Sequence, residues 1–221
     1  AQAVAYVSLQ QNINCKIIMP KNAPKIKIKN TKKYKANVIL YDPETQFRES
    51  IGEKISIEEN RTLIRPYDDI DIIAGQGTAG KEIYHQLTQI SIVPDIYLCC
   101  CGGGGLIAGT STYLKYKFEN IKSYSAEPYG FDDTKKSLNS GKILANEKGH
   151  QSICDAIITP QPGNLTFPIN LKTLDDGLVV NDEEVQSSIK ILAEHLKIIV
   201  EPGGAVAATA ALTEKINLNN K

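Results

Sequence analysis

The stretch CCCGGGGLIAG, residues 99–109, joins three cysteines to four consecutive glycines and a small apolar run. It follows the strand pattern DIYLCCC (95–101) and enters the helix pattern LIAGTSTYLKYKF (106–118). Glycines without Cβ atoms let several backbone N–H groups converge, and a helix N-terminus adds partial positive charge. No Lys-Ser or Lys-Thr pair follows, so the pattern differs from a nucleotide P-loop. The stretch therefore predicts a loop that binds phosphate.

The rest of the chain alternates between strand and helix patterns, which predicts an α/β fold with a mainly parallel sheet. The predicted strands are 15–20, 36–42, 69–75, 95–101 and 122–128, and the predicted helices are 3–12, 25–34, 44–60, 78–87, 106–118, 182–198 and 205–214. Ligand sites in such sheets lie at the carboxyl ends of strands, where both glycine clusters of this sequence are expected. The segment RPYDD (65–69) is the predicted domain boundary.

Composition excludes several classes of function. The 221 residues carry 25 basic and 25 acidic side chains, so net charge gives no reason to expect nucleic acid or an anionic membrane as partner. The sequence has no apolar run of about 18 residues, the length that predicts a transmembrane helix. The cysteine count is 5, which is odd, and no secretory signal is visible, so we expect reduced thiols and a cytoplasmic protein.

The segment GQGTAG (75–80) matches the G-x-G-x-x-G pattern of dinucleotide-binding folds. That pattern also requires an acid at the end of the next strand, about 20 residues on. The nearest acid, Asp95, precedes the next strand instead. A tight turn with close helix packing is therefore the favoured interpretation, and a dinucleotide-dependent oxidoreductase is the disfavoured one.

The three adjacent cysteines suggest a metal site at first sight. Neighbouring residues of a strand point to opposite faces, so Cys99, Cys100 and Cys101 cannot all reach one metal ion. Cysteine is also commonly buried. We therefore expect these residues to be ordinary parts of a strand.

The segment EPYGFDD (127–133) places two carboxylates, Glu127 and Asp133, around a turn that follows a predicted strand. All-oxygen ligand sets of this kind favour hard cations such as Mg²⁺ or Ca²⁺. A solvated turn with Asp132 capping the next helix explains the same residues. Spacing alone leaves both interpretations open.

Taken together, the motifs resemble the fold-type II pyridoxal-phosphate (PLP) enzymes, and within them the threonine/serine dehydratase and serine racemase group. The motifs that carry the resemblance occur in order along almost the whole chain: AQAVAYVSLQQ, MPKNAPKIKIKNTKKY, ANVILYDPETQFRE, DIIAGQGTAGKEI, CGGGGLIAG, AEPYGFDDTKKS, SICDAI, PGNLTF and VEPGGAVAATAAL. The resemblance implies a two-domain enzyme like the tryptophan synthase β chain. Residues 1–66 would form part of the small domain, and residues 67–221 most of the large cofactor-binding domain.

The resemblance also implies roles for individual residues. Gly102, Gly103, Gly104, Gly105 and Leu106 match the loop that holds the cofactor phosphate. Tyr67 matches a residue near the cofactor ring, and Ala156 and Glu201 match segments lining its other side. Glu127, the carbonyl of Phe131 and Asp133 match the divalent-cation site of serine racemase and its relatives, so the resemblance favours the cation interpretation of this turn.

The sequence departs from the family pattern in several places. No lysine of this chain matches the family's Schiff-base lysine, which lies in a Ser-x-Lys-x-Arg-Gly-Ala segment, so we expect these 221 residues alone to be inactive. The Ser-Gly-Asn-His and Ser-Gly-Gly-Asn segments are also missing, so we expect the chain to be truncated at both ends. Lys35 stands where the family usually has a helix-ending glycine, and it should carry strain or require a different cap.

The function implied for the parent enzyme is that of a PLP-dependent L-threonine/L-serine ammonia-lyase, a dehydratase that produces a 2-oxo acid and ammonia. Serine racemase and hydroxyaspartate dehydratase are close alternatives. A non-catalytic module that binds a phosphate-bearing ligand is the alternative of another class. The resemblance further implies a small hydroxy amino acid as substrate and a homodimer as the assembly.

Overall fold

The computed structural model describes residues 1–218 of the chain. The chain divides into two compact units, Ala1–Ile64 and Arg65–Lys221. The predicted boundary, after residue 66, lies just beyond this division, and the end of the predicted large domain, residues 219–221, lies outside the described range. Within that range no helix combines the length and the apolar character needed to cross a membrane.

The first unit contains a parallel pair of strands. β1 (Lys16–Pro20) pairs with β2 (Asn37–Tyr41), and both lie where the sequence predicts strands. The helices of this unit are α1 (Gln2–Gln10), α2 (Lys25–Lys33) and α3 (Arg48–Glu58). Its buried core consists of Ala5, Ile17, Met19 and Ala36.

Lys35 follows the end of α2 with a left-handed backbone, at a φ of 59°. A lysine in this conformation brings its Cβ close to the neighbouring carbonyl, which costs about 1–2 kcal/mol. The strain expected from the missing glycine is therefore present in the structure.

The second unit contains a parallel sheet of three strands in the order β3-β4-β5. The strands are β3 (Ile96–Cys100), β4 (Lys122–Pro128) and β5 (Asp176–Val180). The helices are α4 (Ile70–Gln89), α5 (Gly105–Lys117), α6 (Asp133–Ser140), α7 (Thr166–Thr173), α8 (Asp182–Ile191) and α9 (Pro202–Leu212), with a π-helical turn at Leu192–Leu196. Neither α7 nor β5 was predicted.

The predicted strand at 69–75 is wrong, because these residues begin the long helix α4. The Asp69 carboxylate accepts hydrogen bonds from the backbone amides of Asp71 and Ile72, which is the geometry of a helix N-cap. Ile73 and Gly80 are buried on one side of the helix. The alternation of Asp and Ile in this segment is typical of a strand. The segment is nevertheless helical, because Asp69 caps the helix and one face of the helix is packed. The segment 75–80 therefore lies inside a helix and not at the end of a strand.

The strand β3 separates its cysteines between two faces, as predicted. Cys99 and Cys101 pack with Ile107 in one buried cluster. Cys100 packs on the other side, against the cluster that contains Ala126. All five cysteines of the chain are free thiols, and in residues 1–218 no group of three or more His, Cys, Asp or Glu side chains is arranged to hold a metal ion.

Candidate functional site

The four glycines form the turn between the end of β3 and the start of α5. Gly104 is the N-cap of α5 and has a φ of 85°, a left-handed conformation that glycine adopts without steric strain. The first amides of a helix lack acceptors within the helix itself. In the described residues, the amides of Gly104 and Gly105 donate to no protein acceptor. The loop therefore presents backbone donors to an anion.

The loop is also closely surrounded by other segments of the same unit. A Cβ atom on Gly103 would lie 2.4 Å from the ring of Tyr67, and one on Gly102 would lie 3.1 Å from the Cα of Ile157. Real Cβ atoms do not approach other heavy atoms as closely as the first of these distances. Glycine is therefore required for the contact between Gly103 and Tyr67.

The structure brings the other predicted cofactor residues to the same end of the sheet. Ala156 precedes Ile157, and a Cβ on Gly203 would lie 3.4 Å from the Ala156 side chain. Glu201 is the N-cap residue of α9, and its carbonyl accepts the amides of Gly204 and Ala205 at 2.9 and 3.1 Å. Leu106 lies in the first turn of α5 and is partly exposed, at 41%.

Glu127 and Asp133 are both fully buried. The two carboxylate oxygens of Glu127 accept the backbone amides of Thr134 and Lys135 at 2.8 and 2.9 Å, in the first turn of α6. Asp133 accepts a hydrogen bond from the side-chain amide of Asn146 through Oδ1, whereas its Oδ2 has no partner in the described residues. Between the two acids the chain turns, with the Phe131 amide donating to the Pro128 carbonyl at 3.0 Å.

Burial raises the pKa of both carboxyl groups. The pKa of Glu127 rises to about 8, mainly because of burial and secondly because of the nearby Asp133 charge. The pKa of Asp133 rises to about 7, again mainly because of burial, although the hydrogen bond from Asn146 opposes the shift. Buried carboxylates without a neutralising partner are unfavourable, so a bound cation would stabilise this arrangement.

The buried thiols differ from reactive cysteines. Burial raises the pKa of Cys99 to about 12 and raises that of Cys101 well above its ordinary value. Thiolates are the nucleophilic form of cysteine, so these two residues are held in the unreactive form at neutral pH.

Comparison with known proteins identifies the family. The family described as "Pyridoxal-phosphate dependent enzyme" matches residues 1–221 of this chain. The chain belongs to the pyridoxal-phosphate-dependent enzyme family. A four-glycine loop at the N-terminus of a helix, with amides that have no protein acceptor in residues 1–218, suits the phosphate group of that family's cofactor.

Curated relatives and solved structures also assign the chain to this family. The chain is 38% identical over 221 residues to serine racemase from Schizosaccharomyces pombe, covering 67% of that protein. It is 35% identical over 221 residues to L-threo-3-hydroxyaspartate ammonia-lyase from Saccharomyces cerevisiae, covering 66%. The crystal structure of the T.th. threonine deaminase matches 97% of the chain with a TM-score of 0.90 and 33% identity, over 69% of that structure.

The chain thus spans about two thirds of the length of these two curated relatives. The fold class expected from the sequence, a fold-type II PLP enzyme with parallel sheets flanked by helices, is confirmed by these PLP-dependent neighbours. The dinucleotide interpretation of residues 75–80 has no support, because these residues do not follow a strand.

The residues that bond to the carbonyl groups of the glycine loop were not predicted from the sequence. Thr166 and Asn170 on α7 both donate side-chain hydrogen bonds to carbonyls of the loop. The Asp68 carboxylate accepts the amides of Leu165 and Thr166 at the start of the same helix. The motif PGNLTF (162–167) contributes to the family resemblance, but its spacing gives no sign of these contacts.

Proposed function

We propose that this chain is the cofactor-binding part of a PLP-dependent ammonia-lyase that acts on L-threonine or L-serine. The observation that carries the proposal is the glycine loop, whose Gly104 and Gly105 amides have no protein acceptor in the described residues although they lie beside buried segments. Serine racemase and hydroxyaspartate dehydratase activities are the close alternatives, in keeping with the names of the relatives.

In the proposed cofactor site, the groups that contact the phosphate are neutral backbone amides. The amides at Gly104 and Gly105 bind the phosphate, together with the first turn of α5 at Leu106. Tyr67 lies on the loop and covers one side of the bound cofactor, while the segment at Ala156 and the start of α9 at Glu201 line the other side. Glycine at position 103 lets the Tyr67 ring lie directly against the backbone.

Pyridoxal phosphate, when bound, supplies an electron sink that lets an amino acid lose its Cα proton and its β-hydroxyl group. The part of this chain in that chemistry is to fix the phosphate and to exclude water from one side of the cofactor. No lysine of these residues matches the family's Schiff-base lysine, so we propose that the 221 residues alone do not turn over substrate.

Activity tests this proposal directly. The complete reading frame that contains this chain should convert L-threonine to 2-oxobutyrate and ammonia when PLP is supplied, whereas the 221 residues alone should not. L-Serine and L-threo-3-hydroxyaspartate, assayed in parallel, rank the substrates, and formation of D-serine measures racemisation. If the complete protein binds PLP but transforms none of these amino acids, it is instead a non-catalytic module that binds a phosphate-bearing ligand.

We further propose a divalent cation, Mg²⁺ or Ca²⁺, bound by Glu127, Asp133 and the carbonyl of Phe131. The support is the burial of both acids and the unpartnered Oδ2 of Asp133 among the described residues. The cation would order the turn between β4 and α6 and would take no part in the chemistry.

Thermal unfolding tests the cation site. Millimolar Mg²⁺ or Ca²⁺ should raise the melting temperature of the chain, and this increase should vanish in Asp133→Asn. The exposed acid Glu183 offers a matched control, because Glu183→Gln should retain the full increase. An equal increase in all three proteins would contradict the proposed site.

Two expectations from the sequence remain predictions. The homodimer can be checked by sedimentation equilibrium of the complete protein. The cytoplasmic location can be checked by fractionating the source cells.

A further inference from the structure

The carbonyl groups of the glycine loop are held by helix α7. The hydroxyl of Thr166 donates to the Gly103 carbonyl at 2.7 Å, and the Gly163 amide donates to the same oxygen at 3.3 Å. The side-chain amide of Asn170 donates to the Gly104 carbonyl at 3.3 Å. Two successive carbonyls of the loop are thus directed toward the same helix.

The direction of these carbonyls fixes the direction of the amides. In a planar trans peptide the C=O group of one residue and the N–H group of the next point in opposite directions. When α7 holds the carbonyls of Gly103 and Gly104, the amides of Gly104 and Gly105 therefore point away from α7. Both are among the loop amides that have no protein acceptor in residues 1–218.

Asn170 is not needed to satisfy the carbonyl that it contacts. The Gly104 carbonyl also accepts the Ala108 amide at 3.0 Å, so it would keep a partner without Asn170. Asn170 is fully buried, and its own Oδ1 has no partner in the described part of the chain. A buried, unsatisfied polar atom is unfavourable for stability. An apolar side chain would suit this position better if stability alone decided it.

The first turn of α7 is also held by Asp68. The Asp68 carboxylate accepts the amides of Leu165 and Thr166 at 2.6 and 3.3 Å. Asp68 directly follows Tyr67, the residue that packs on Gly103. The position of Thr166 is therefore set by the same short segment that covers the loop.

We propose that Thr166 and Asn170 are positioning residues for the phosphate group: they hold two peptide planes of the loop so that the amides of Gly104 and Gly105 face the ligand. The inference rests on the proposed function, because it concerns the phosphate site of that function. Neither side chain needs to touch the ligand. Both act through the backbone of the loop.

Binding of two matched ligands to the 221-residue chain tests this inference. Pyridoxine 5′-phosphate and pyridoxine differ only in the phosphate, and neither has the aldehyde that would react with surface lysines. In Thr166→Val and in Asn170→Leu, the Kd for pyridoxine 5′-phosphate should rise about tenfold, which is the effect expected when charge-assisted hydrogen bonds are misaligned. The Kd for pyridoxine should stay unchanged. A general loss of packing would weaken the binding of both ligands equally.

Two controls separate orientation from folding. Thr166→Ser keeps the hydroxyl and should restore the affinity for pyridoxine 5′-phosphate. Asn170→Leu should have an unchanged or higher melting temperature despite its weaker binding, because it removes the unsatisfied Oδ1. Wild-type affinity for the phosphate ligand in both Thr166→Val and Asn170→Leu would overturn the inference, as would equal weakening of both ligands.

The wild-type chain separates this inference from the proposed function. If the wild type itself binds both ligands with the same affinity, the phosphate site is wrong and the proposed function fails. If the wild type prefers the phosphate ligand and both variants keep that preference, only the roles of Thr166 and Asn170 fail.

Discussion

Two glycine-rich segments of the second unit resemble each other in sequence but differ in what their glycines do. In GQGTAG (75–80) the glycines lie inside α4, where Gly80 faces the Thr110 backbone of α5. In GGGG (102–105) they lie between a strand and a helix, where backbone amides, including those of Gly104 and Gly105, have no protein acceptor in the described residues. The first segment uses missing side chains to bring two helices together, and the second uses them to expose a backbone to a ligand.

This difference shows that glycine content alone does not identify a phosphate site. The decisive feature is whether the backbone amides are already used within a helix. Amides in the middle of α4 are bonded within the helix, whereas those at the start of α5 are not. Substitutions in the first segment should therefore change the stability of the fold, and substitutions in the second should change the affinity for phosphate.

The largest effect is expected at the interface between the two helices. A Cβ atom at Gly80 would lie 2.9 Å from the Thr110 carbonyl, so Gly80→Ala must push α4 and α5 apart. We expect the free energy of unfolding to fall by about 2–3 kcal/mol, as measured by urea denaturation. The relative preference for pyridoxine 5′-phosphate over pyridoxine should remain in the folded fraction. Loss of that preference at full stability would show that α4 belongs to the phosphate site.

The next largest effect is expected in the loop. In Gly104→Ala the added Cβ would lie 2.5 Å from the Asn170 side chain, at a φ of 85° that alanine rarely adopts. The loop peptides must rotate, so affinity for pyridoxine 5′-phosphate should fall about tenfold or more. Titration calorimetry measures this change. Retention of wild-type affinity would refute the assignment of this amide to the phosphate.

A smaller effect on stability is expected at Lys35, where the backbone conformation favours glycine. Lys35 has a φ of 59°, so Lys35→Gly should relieve the strain after α2. We expect stabilisation by about 1 kcal/mol or less, because glycine also increases the entropy of the unfolded chain. Lys29→Gly is the matched control and should destabilise the protein, since Lys29 is an exposed lysine in the middle of the helix. Destabilisation by both substitutions would contradict the assignment of strain to Lys35.

The smallest effect is expected at Gly75, within the first segment. A Cβ atom there would have no heavy atom within 4 Å, and the residue lies inside α4. Gly75→Ala should stabilise the chain by about 0.5–1 kcal/mol through helix propensity. Thermal unfolding of Gly75→Ala and Gly80→Ala side by side tests this. The melting temperature should rise in the first variant and fall in the second. A loss of stability in Gly75→Ala would show an unrecognised contact.

Features fixed by local sequence were predictable. The strand, glycines and helix at residues 95–118 follow one another directly, and the structure has them in that order. The predicted helix at 182–198 begins where Asn181 forms a capping box with Glu184. In both cases the residues that decide the structure are neighbours in the chain.

Features that depend on distant contacts were not predictable. The hydrogen bond from Asn170 to the Gly104 carbonyl joins residues 66 positions apart, and nothing in the local pattern near Asn170 indicates it. The wrong strand at 69–75 has a similar cause, because packing of α4 on α5 outweighs a short alternating pattern. The cofactor family could be recognised from the order of motifs in the sequence. The contacts by which α7 supports the phosphate loop could be recognised only in the folded structure.

The most direct test of the phosphate site is an NMR titration of the chain labelled with ¹⁵N only at its 16 glycines. Both segments are then visible in one spectrum. On addition of pyridoxine 5′-phosphate, the amide protons of Gly104 and Gly105 should shift furthest downfield, whereas pyridoxine should leave them in place. A response of Gly75, Gly77 and Gly80 instead, or the same shifts with both ligands, would contradict the assignment of the phosphate to the second segment.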